Sequence, residues 1–303
     1  MEPSSQQDME AMVRSLEATG NYRVLRRFEA RPRYQSPSPS TVVRRGLIVD
    51  VESTGLDTTS DRIIELGLVA FEFDSAGMVY GVDAKQEWFE DPGIPIPAEV
   101  VEITGITDDM VRGQRIDDAA VLQEVARAHL IIAHNASFDR RMLERRFPAF
   151  ADKHWGCSLY DVPWVRFGCR GAKLDYLLFQ LCNAFHTGHR AGDDCLATLH
   201  VLATPRDGET SPLTLLLENA RKTTARLNAI GTPIESKDLL KARGYRWFAG
   251  DRSRAKTWYR DLPESELEAE QSWLRQHAYG GLASPPWRVD TFTAKDRYSE
   301  RVG

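Results

Sequence analysis

Two short apolar runs, Leu47-Ile48-Val49 and Leu130-Ile131-Ile132-Ala133, stop abruptly on residues that carry chemistry: Asp50-Val51-Glu52 after the first, His134-Asn135 after the second. Runs this short read as strands covered on both faces rather than as buried helices. Further strands are predicted over 62–71 and, after a turn at Gly77, over 79–89. Helical spacing of apolar residues predicts helices over 119–128, 139–147, 174–185 and 193–203. A run of strands followed by alternating helices and strands predicts an α/β fold, a mixed sheet flanked by helices.

The 303 residues exceed what one such sheet needs. Met9, Met12, Val13 and Leu16 at helical spacing predict an N-terminal helix over 8–30, and the Pro/Ser-rich residues 31–40 form a linker unable to build helix or ladder. The polar stretch Pro205-Arg206-Asp207-Gly208-Glu209 marks a second boundary. The expected organisation is therefore 1–40, an N-terminal helix and linker; 41–204, the α/β domain; and 205–303, a smaller α+β module. No internal repeat is evident. The four cysteines are too few and too dispersed for a disulfide framework. No apolar run approaches the roughly 20 residues of a membrane span, and the polar, acidic residues 1–8 lack the pattern of a signal peptide. A cytoplasmic protein with no membrane partner is expected.

The net charge of −5 is unevenly distributed. Residues 1–40 carry 6 basic and 5 acidic side chains, residues 41–204 carry 16 and 25, and residues 205–303 carry 17 and 14. A carboxylate-rich site with separate anion-binding surfaces has this partition, as does a plain solvated surface.

Asp50 and Glu52 stand two apart at the carboxyl end of a strand, so both carboxylates leave the same face. Two acids so placed repel unless a cation lies between them, and hard oxygen donors suit Mg²⁺ or Mn²⁺. Alone, Asp-x-Glu is also what an exposed strand end looks like. Two further segments place an Asp where a strand or loop gives way to a helix: His134-Asn135-Ala136-Ser137-Phe138-Asp139 and His189-Arg190-Ala191-Gly192-Asp193-Asp194.

With these motifs in this order, residues 42–204 resemble the DEDD exonucleases that carry a catalytic His, the DEDDh group that includes the proofreading epsilon subunit of the bacterial replicative polymerase. Ile94-Pro95-Ile96-Pro97 and residues 103–111 resemble that family's connector between its third strand and next helix. The resemblance implies a ribonuclease H-like fold and 3′–5′ exonuclease activity. It implies that Asp50, Glu52, Asp139 and Asp194 bind two divalent ions, with His189 as general base. Two such ions, about 3.5–4 Å apart, clamp the attacking and leaving oxygens of a phosphodiester displacement. Gly188 and Gly192 flank His189, and a mobile loop is expected there. Asp193 competes with Asp194; the family's spacing of five after the His selects Asp194, leaving Asp193 as a first-turn acid favoured by the helix dipole. Thr54, Gly55 and Leu56 would seat the terminal nucleotide, with Leu56 wedged against its base. Asn135 and Phe138 would complete the pocket, though Phe138 could equally be core. Glu99 and Thr104 align with further nucleotide contacts, Thr104 standing where the proofreading subunit has a His.

Cys182, His186, His189, Cys195 and His200 cluster in sequence, but they lack the close pairs of structural zinc sites. His134 reads as a structural hydrogen-bonder. In the tail, Leu239 to Ala242 predicts a helix capped at Gly244, followed by a hairpin with its turn at Ala249-Gly250-Asp251 and a helix from Glu264 to about His277. Arg243, Arg246, Trp247, Lys256 and Trp258 interleave basic and aromatic side chains, which suits single-stranded nucleic acid and suits equally a small core with a wet basic face.

The expectation is hydrolysis of DNA from the 3′ end, single-stranded or frayed, releasing 5′-mononucleotides, with a substrate-guiding C-terminal module. Nothing in the motifs reads a 2′-OH, and an RNA-trimming or oligoribonucleotide-degrading enzyme is the alternative. A non-catalytic nucleic-acid-binding subunit is the alternative of another class, disfavoured because binding requires none of the five chemical residues. Repair, proofreading and defence against phage DNA share this chemistry. A protein partner or homo-oligomer is not readable from the sequence.

Overall fold

The computed structural model describes residues 6–205, 210–250 and 255–302. In chain order, helix α1 (Gln6–Ala18) and strand β1 (Arg26–Arg27) form an N-terminal arm. The main sheet is built from β2 (Arg44–Ser53), β3 (Ile63–Phe73), β4 (Val79–Val82) and β5 (Gln86–Phe89). After α2 (Ala98–Thr104), α3 (Asp108–Val111) and α4 (Asp118–Arg127) come β6 (Leu130–Ala133), α5 (Ala136–Arg146) and β7 (Trp155–Cys157). Next are α6 (Leu174–Leu177), β8 (Ala184–Phe185), α7 (Ala191–Ala203) and α8 (Pro212–Arg221). The tail holds β9 (Thr224–Ala229), α9 (Lys237–Ala242), β10 (Arg246–Phe248), β11 (Thr257–Pro263), α10 (Leu267–His277) and β12 (Arg288–Phe292).

Strand β2 runs antiparallel to β3 and parallel to β6, and β6 is parallel to β7; β4 and β5 share the far edge of β3. The fold is thus α/β, a mixed sheet flanked by helices. Both faces of β2 are buried, which explains its unbroken apolar run. Ile48, Val69, Phe71 and Ile132 pack with Leu199 and Leu202 of α7 and Leu213 and Leu216 of α8. Leu47, Val49, Leu68 and Ile131 pack on the other side with Val121 and Val125 of α4 and Met142 and Leu143 of α5.

Several expectations are corrected by what the chain packs against. The N-terminal helix ends at Ala18, well short of residue 30. The chain then extends because β1 pairs in parallel with β8, Arg23 donates to Asn183 and Phe28 packs against the core below α7. The Pro/Ser segment does join a ladder at one point: Arg33 bridges Gly81, and the Tyr34 N–H donates to the Tyr80 carbonyl at 2.9 Å. Prolines on either side lack the N–H that would extend it. The single strand expected over 79–89 is two strands, β4 and β5, and the helix expected over 174–185 is α6 followed by a π turn, Leu178–Cys182, which ends at left-handed Asn183.

The C-terminal sheet is antiparallel in the order β10-β11-β9-β12. Leu227, Ala229, Trp258 and Leu262 on one face form a core with Leu240 of α9 and Leu274 of α10. The boundary expected at 205 falls ahead of α8, whose leucines lie in the core of the first sheet, so packing assigns α8 to the first unit and starts the module at β9. Residues 206–209, and Asp251 of the expected hairpin turn, lie outside the described residues. Residues beyond β12 return to the first unit. The Ala294 carbonyl accepts the Trp155 N–H of edge strand β7 at 2.8 Å, fully buried Arg140 of α5 donates to the carbonyls of Lys295 and Arg297, each at 2.6 Å, and Tyr298 donates to Asp161 at 2.6 Å.

Candidate active site

The carboxyl end of β2 sends Asp50 and Glu52 to one face, as strand alternation requires. Asp194, in the first turn of α7, meets them there: one carboxylate oxygen from each of the three lies within 4.8 Å of the others. Asp139 reaches the cluster from α5, buried and accepting the Val51 N–H at 3.1 Å. Burial, then the neighbouring charges of Asp139 and Asp194, pushes Asp50 well above the usual carboxylate range. Burial and Asp194 push Glu52 to about 8, and burial pushes Asp139 to about 7. These four carboxylates, Asp139 and Asp194 buried and Asp50 and Glu52 half-buried, are a hard-donor set that fits Mg²⁺ or Mn²⁺.

Both oxygens of Asp194 are also held from the preceding loop. The His186 Nε2 lies 2.6 Å from Oδ1, and the His189 backbone N–H donates to Oδ2 at 2.9 Å. Although burial opposes it, the hydrogen bond to Asp194 raises His186 above the usual imidazole range. His186 was not anticipated as a site neighbour. Its signal was its place three residues before His189, read above only within a zinc set that the fold disperses: Cys195 faces the Gly67 carbonyl, His200 meets Tyr34 and Cys182 meets Thr204.

His189 itself is exposed, with φ at +58°, a region a non-glycine residue rarely occupies and one that flags functional constraint. Gly188 is left-handed, but Gly192 lies inside α7, wedged against Lys85 and Glu87. Arg190 donates to fully buried Glu65 at 2.7 Å and to Glu87 at 2.6 Å, and Glu65 also accepts the Ala191 N–H at 3.0 Å. Glu65 sits opposite Glu52 in the β2–β3 register. Burial pushes its carboxyl above the ordinary range, although Arg190 opposes the shift. A side chain at Gly67 would strike the backbone of Ala191, so this glycine lets α7 start against β3. Asp193 pairs with Lys85 at 2.6 Å on the helix flank, leaving Asp194 to face the cluster.

The residues expected around a terminal nucleotide divide. Leu56 is 88% exposed just beyond Glu52, and Asn135 is exposed at the start of α5, accepting the Ser137 hydroxyl. Glu99 is exposed on α2. Phe138 is partly buried against the core. Thr54 is buried and bonded to Asp61 and Arg62, and a Cβ at Gly55 would meet the Asp61 carboxylate. Thr104 is corrected: its hydroxyl bonds Val100 and Ile106 and closes the end of α2. His134 bonds Ser158 at 2.7 Å, a structural contact as expected.

In the C-terminal module the five interleaved residues do not share a surface, because strand alternation separates them. Trp247 and Trp258 contact each other, centroids 5.3 Å apart, on the helix-covered face, and Arg243 pairs with Glu270 of α10. Arg246 lies on the opposite face over Tyr259, while Lys256 is exposed before β11.

No helix among the described residues is long and apolar enough to cross a membrane. The sequence pattern of the exonuclease family (RNase T type) matches residues 47–202, just over half of the chain. The DNA polymerase III PolC-type protein of Clostridium perfringens is 29% identical over 161 residues, 52% of this chain and 11% of that protein. That of Halalkalibacterium halodurans is 32% identical over 177 residues, 53% of this chain and 12% of that protein. The chain thus spans about a tenth of the length of these curated relatives. Among solved structures, Exonuclease X in complex with 5′ overhanging duplex DNA aligns with a TM-score of 0.42 at 23% identity, covering 57% of this chain and 98% of that one. The chain belongs to the exonuclease family.

Proposed function

We propose that this exonuclease shortens DNA from single-stranded or frayed 3′ ends and releases 5′-mononucleotides. Asp50, Glu52, Asp139 and Asp194 would hold two divalent ions, Mg²⁺ or Mn²⁺. The observation that carries this reading is the meeting of Asp50, Glu52 and Asp194, from β2 and α7, with Asp139 of α5 close enough for its charge to act on Asp50. Ions bound there would offset the acids, polarise the scissile phosphate and acidify the attacking water. His189 would be the general base: its backbone N–H is tied to Asp194 and the residue is exposed. Leu56, Asn135 and Phe138 would bound the seat of the terminal nucleotide, with Leu56 against its base; Thr54 and Gly55 would shape that seat through Asp61, and Glu99, exposed on α2, would contact the nucleotide. DNA is favoured over RNA because the relatives' names place them at DNA synthesis and no motif reads a 2′-OH.

A panel of 5′-labelled and 3′-labelled DNA and RNA, single- and double-stranded, tests the reading. It predicts metal-dependent loss of nucleotides from the 3′ end of DNA and none with EDTA. Asp50→Ala should retain binding and lose hydrolysis. Cutting of a closed circle would contradict it.

A further inference from the structure

We propose that the open face of the C-terminal sheet and the flank of α5 form the two walls of a groove for the segment of a single nucleic-acid strand lying 5′ to the terminal nucleotide. The inference rests on the 3′–5′ exonuclease reading, which puts the 3′ end at Asp50. One face of this sheet is sealed by α9 and α10. The other carries Arg226, Arg246, Tyr259 and Phe292, and no apolar core accounts for it.

A cavity of about 660 Å³ lies against this face, walled across from it by Ser137, Arg141 and Tyr160 of the nuclease unit. Five basic side chains line it against two carboxylates, the reverse of the acidic cluster at Asp50. The cations are layered with rings. Arg226, buried and paired with Asp261, lies over both Tyr259, at 4.5 Å, and Phe292, at 5.1 Å, and Arg246, exposed and also paired with Asp261, lies 4.9 Å from Tyr259. Tyr160 is 63% exposed at the groove's mouth. Rings for unpaired bases and cations for phosphates are what single strands need, whereas a paired duplex hides its base faces.

The groove and the site meet at α5. Ser137 is in the first turn of α5, two residues before Asp139, and Tyr160 follows β7. Since β2, β6 and β7 are neighbours, β7 lies two strand spacings, about 10 Å, from β2. A strand whose 3′ end sits at the carboxylates can run into the groove. This face replaces the Trp247–Trp258 side as the binding surface.

The test uses the full chain in EDTA, so that binding is read without hydrolysis, with a 5′-fluorescein oligo(dT) of about 15 nucleotides. Lys222 and Arg246, both exposed, border the groove. Lys222→Ala/Arg246→Ala should raise Kd on the order of tenfold and lower the salt slope by about 1.4, two single-strand phosphate contacts. Lys237→Ala/Lys241→Ala, an equal charge loss on α9, should change Kd less than about twofold. Equal effects of the two pairs would overturn the groove. Photocrosslinking of a 5-iododeoxyuridine-substituted strand to the wild type gives a second readout that needs no variant: Tyr160 or Tyr259 is the expected adduct, and Trp247 would overturn the proposal. Hydrolysis is scored separately with Mg²⁺. Normal 3′ shortening with unchanged binding in the groove variant removes the groove alone. Absence of metal-dependent shortening removes the exonuclease reading.

Discussion

At the carboxyl end of β2, four acids are packed together and held by backbone N–H groups and a histidine; on the C-terminal sheet, arginines are layered on aromatic rings along an open groove. The first arrangement is unstable until cations enter, and its groups are pinned from several directions. The second has no such tension: Asp261 pairs with both Arg226 and Arg246, and Arg246 and Lys222 remain exposed. Chemistry needs pre-set geometry, while holding a flexible strand needs only sign and stacking. The charge partition along the chain, −9 over residues 41–204 against +3 over 205–303, is this contrast written in one dimension.

The contrast should show as a graded series of losses. Asp50→Asn or Asp194→Asn should cut turnover by at least about a thousandfold while Asp193→Asn, a change at a lysine-paired flank, stays within a few-fold. Arg190→Ala leaves Glu65 buried without its guanidinium, and a loss of about 3 kcal/mol in stability, read by urea unfolding, is expected. An unchanged midpoint would mean the clamp does not hold the loop.

The two histidines separate by kinetics. His189→Ala should lower kcat about a hundredfold without altering the metal requirement. His186→Ala, which frees one oxygen of Asp194, should instead raise the metal concentration needed about tenfold. A reversed pattern would exchange their roles.

The smallest effect concerns pH. Glu52 at about 8 and Asp139 at about 7 keep protons in the folded chain that the unfolded chain gives up in the ordinary carboxylate range. The metal-free protein should therefore lose stability as pH rises from about 4.5 to about 8, melting several degrees lower at the upper end. Mg²⁺ or Mn²⁺ should restore more of the melting temperature at pH 8 than at pH 5. A melting temperature that rises with pH in EDTA would contradict the acid cluster.

Much of the catalytic end was legible because its residues announce themselves locally. Asp50 and Glu52 follow an apolar run at a spacing that puts them on one face, while Asp139 and Asp194 join them through the resemblance to the DEDDh exonucleases, by their offsets from His134 and His189. Glu65 was missed although the signal was present: a lone acid inside Ile63-Ile64-Glu65-Leu66 must find a partner when buried, but the partner, Arg190, is 125 residues away. Thr104 was assigned outward by analogy, whereas a hydroxyl near a helix end readily satisfies local backbone groups.

The groove was not legible as a surface. Arg226 and Phe292 come next to Tyr259 only through the register of β9, β11 and β12, and nearness in sequence grouped Arg246 with Trp247 although they face opposite sides. The N-terminal arm failed likewise: residues 22–28 are extended because β8 offers an edge, which helical propensity cannot foresee.

The central claim is that four carboxylates converge to make a metal-dependent 3′–5′ exonuclease. The most direct measurement is a time course of a 5′-labelled single-stranded DNA with Mn²⁺, wild type beside Asp194→Asn. The account predicts a ladder shortening from the 3′ end in the wild type alone, abolished by EDTA. Shortening that survives EDTA, or proceeds at the wild-type rate in Asp194→Asn, would contradict it.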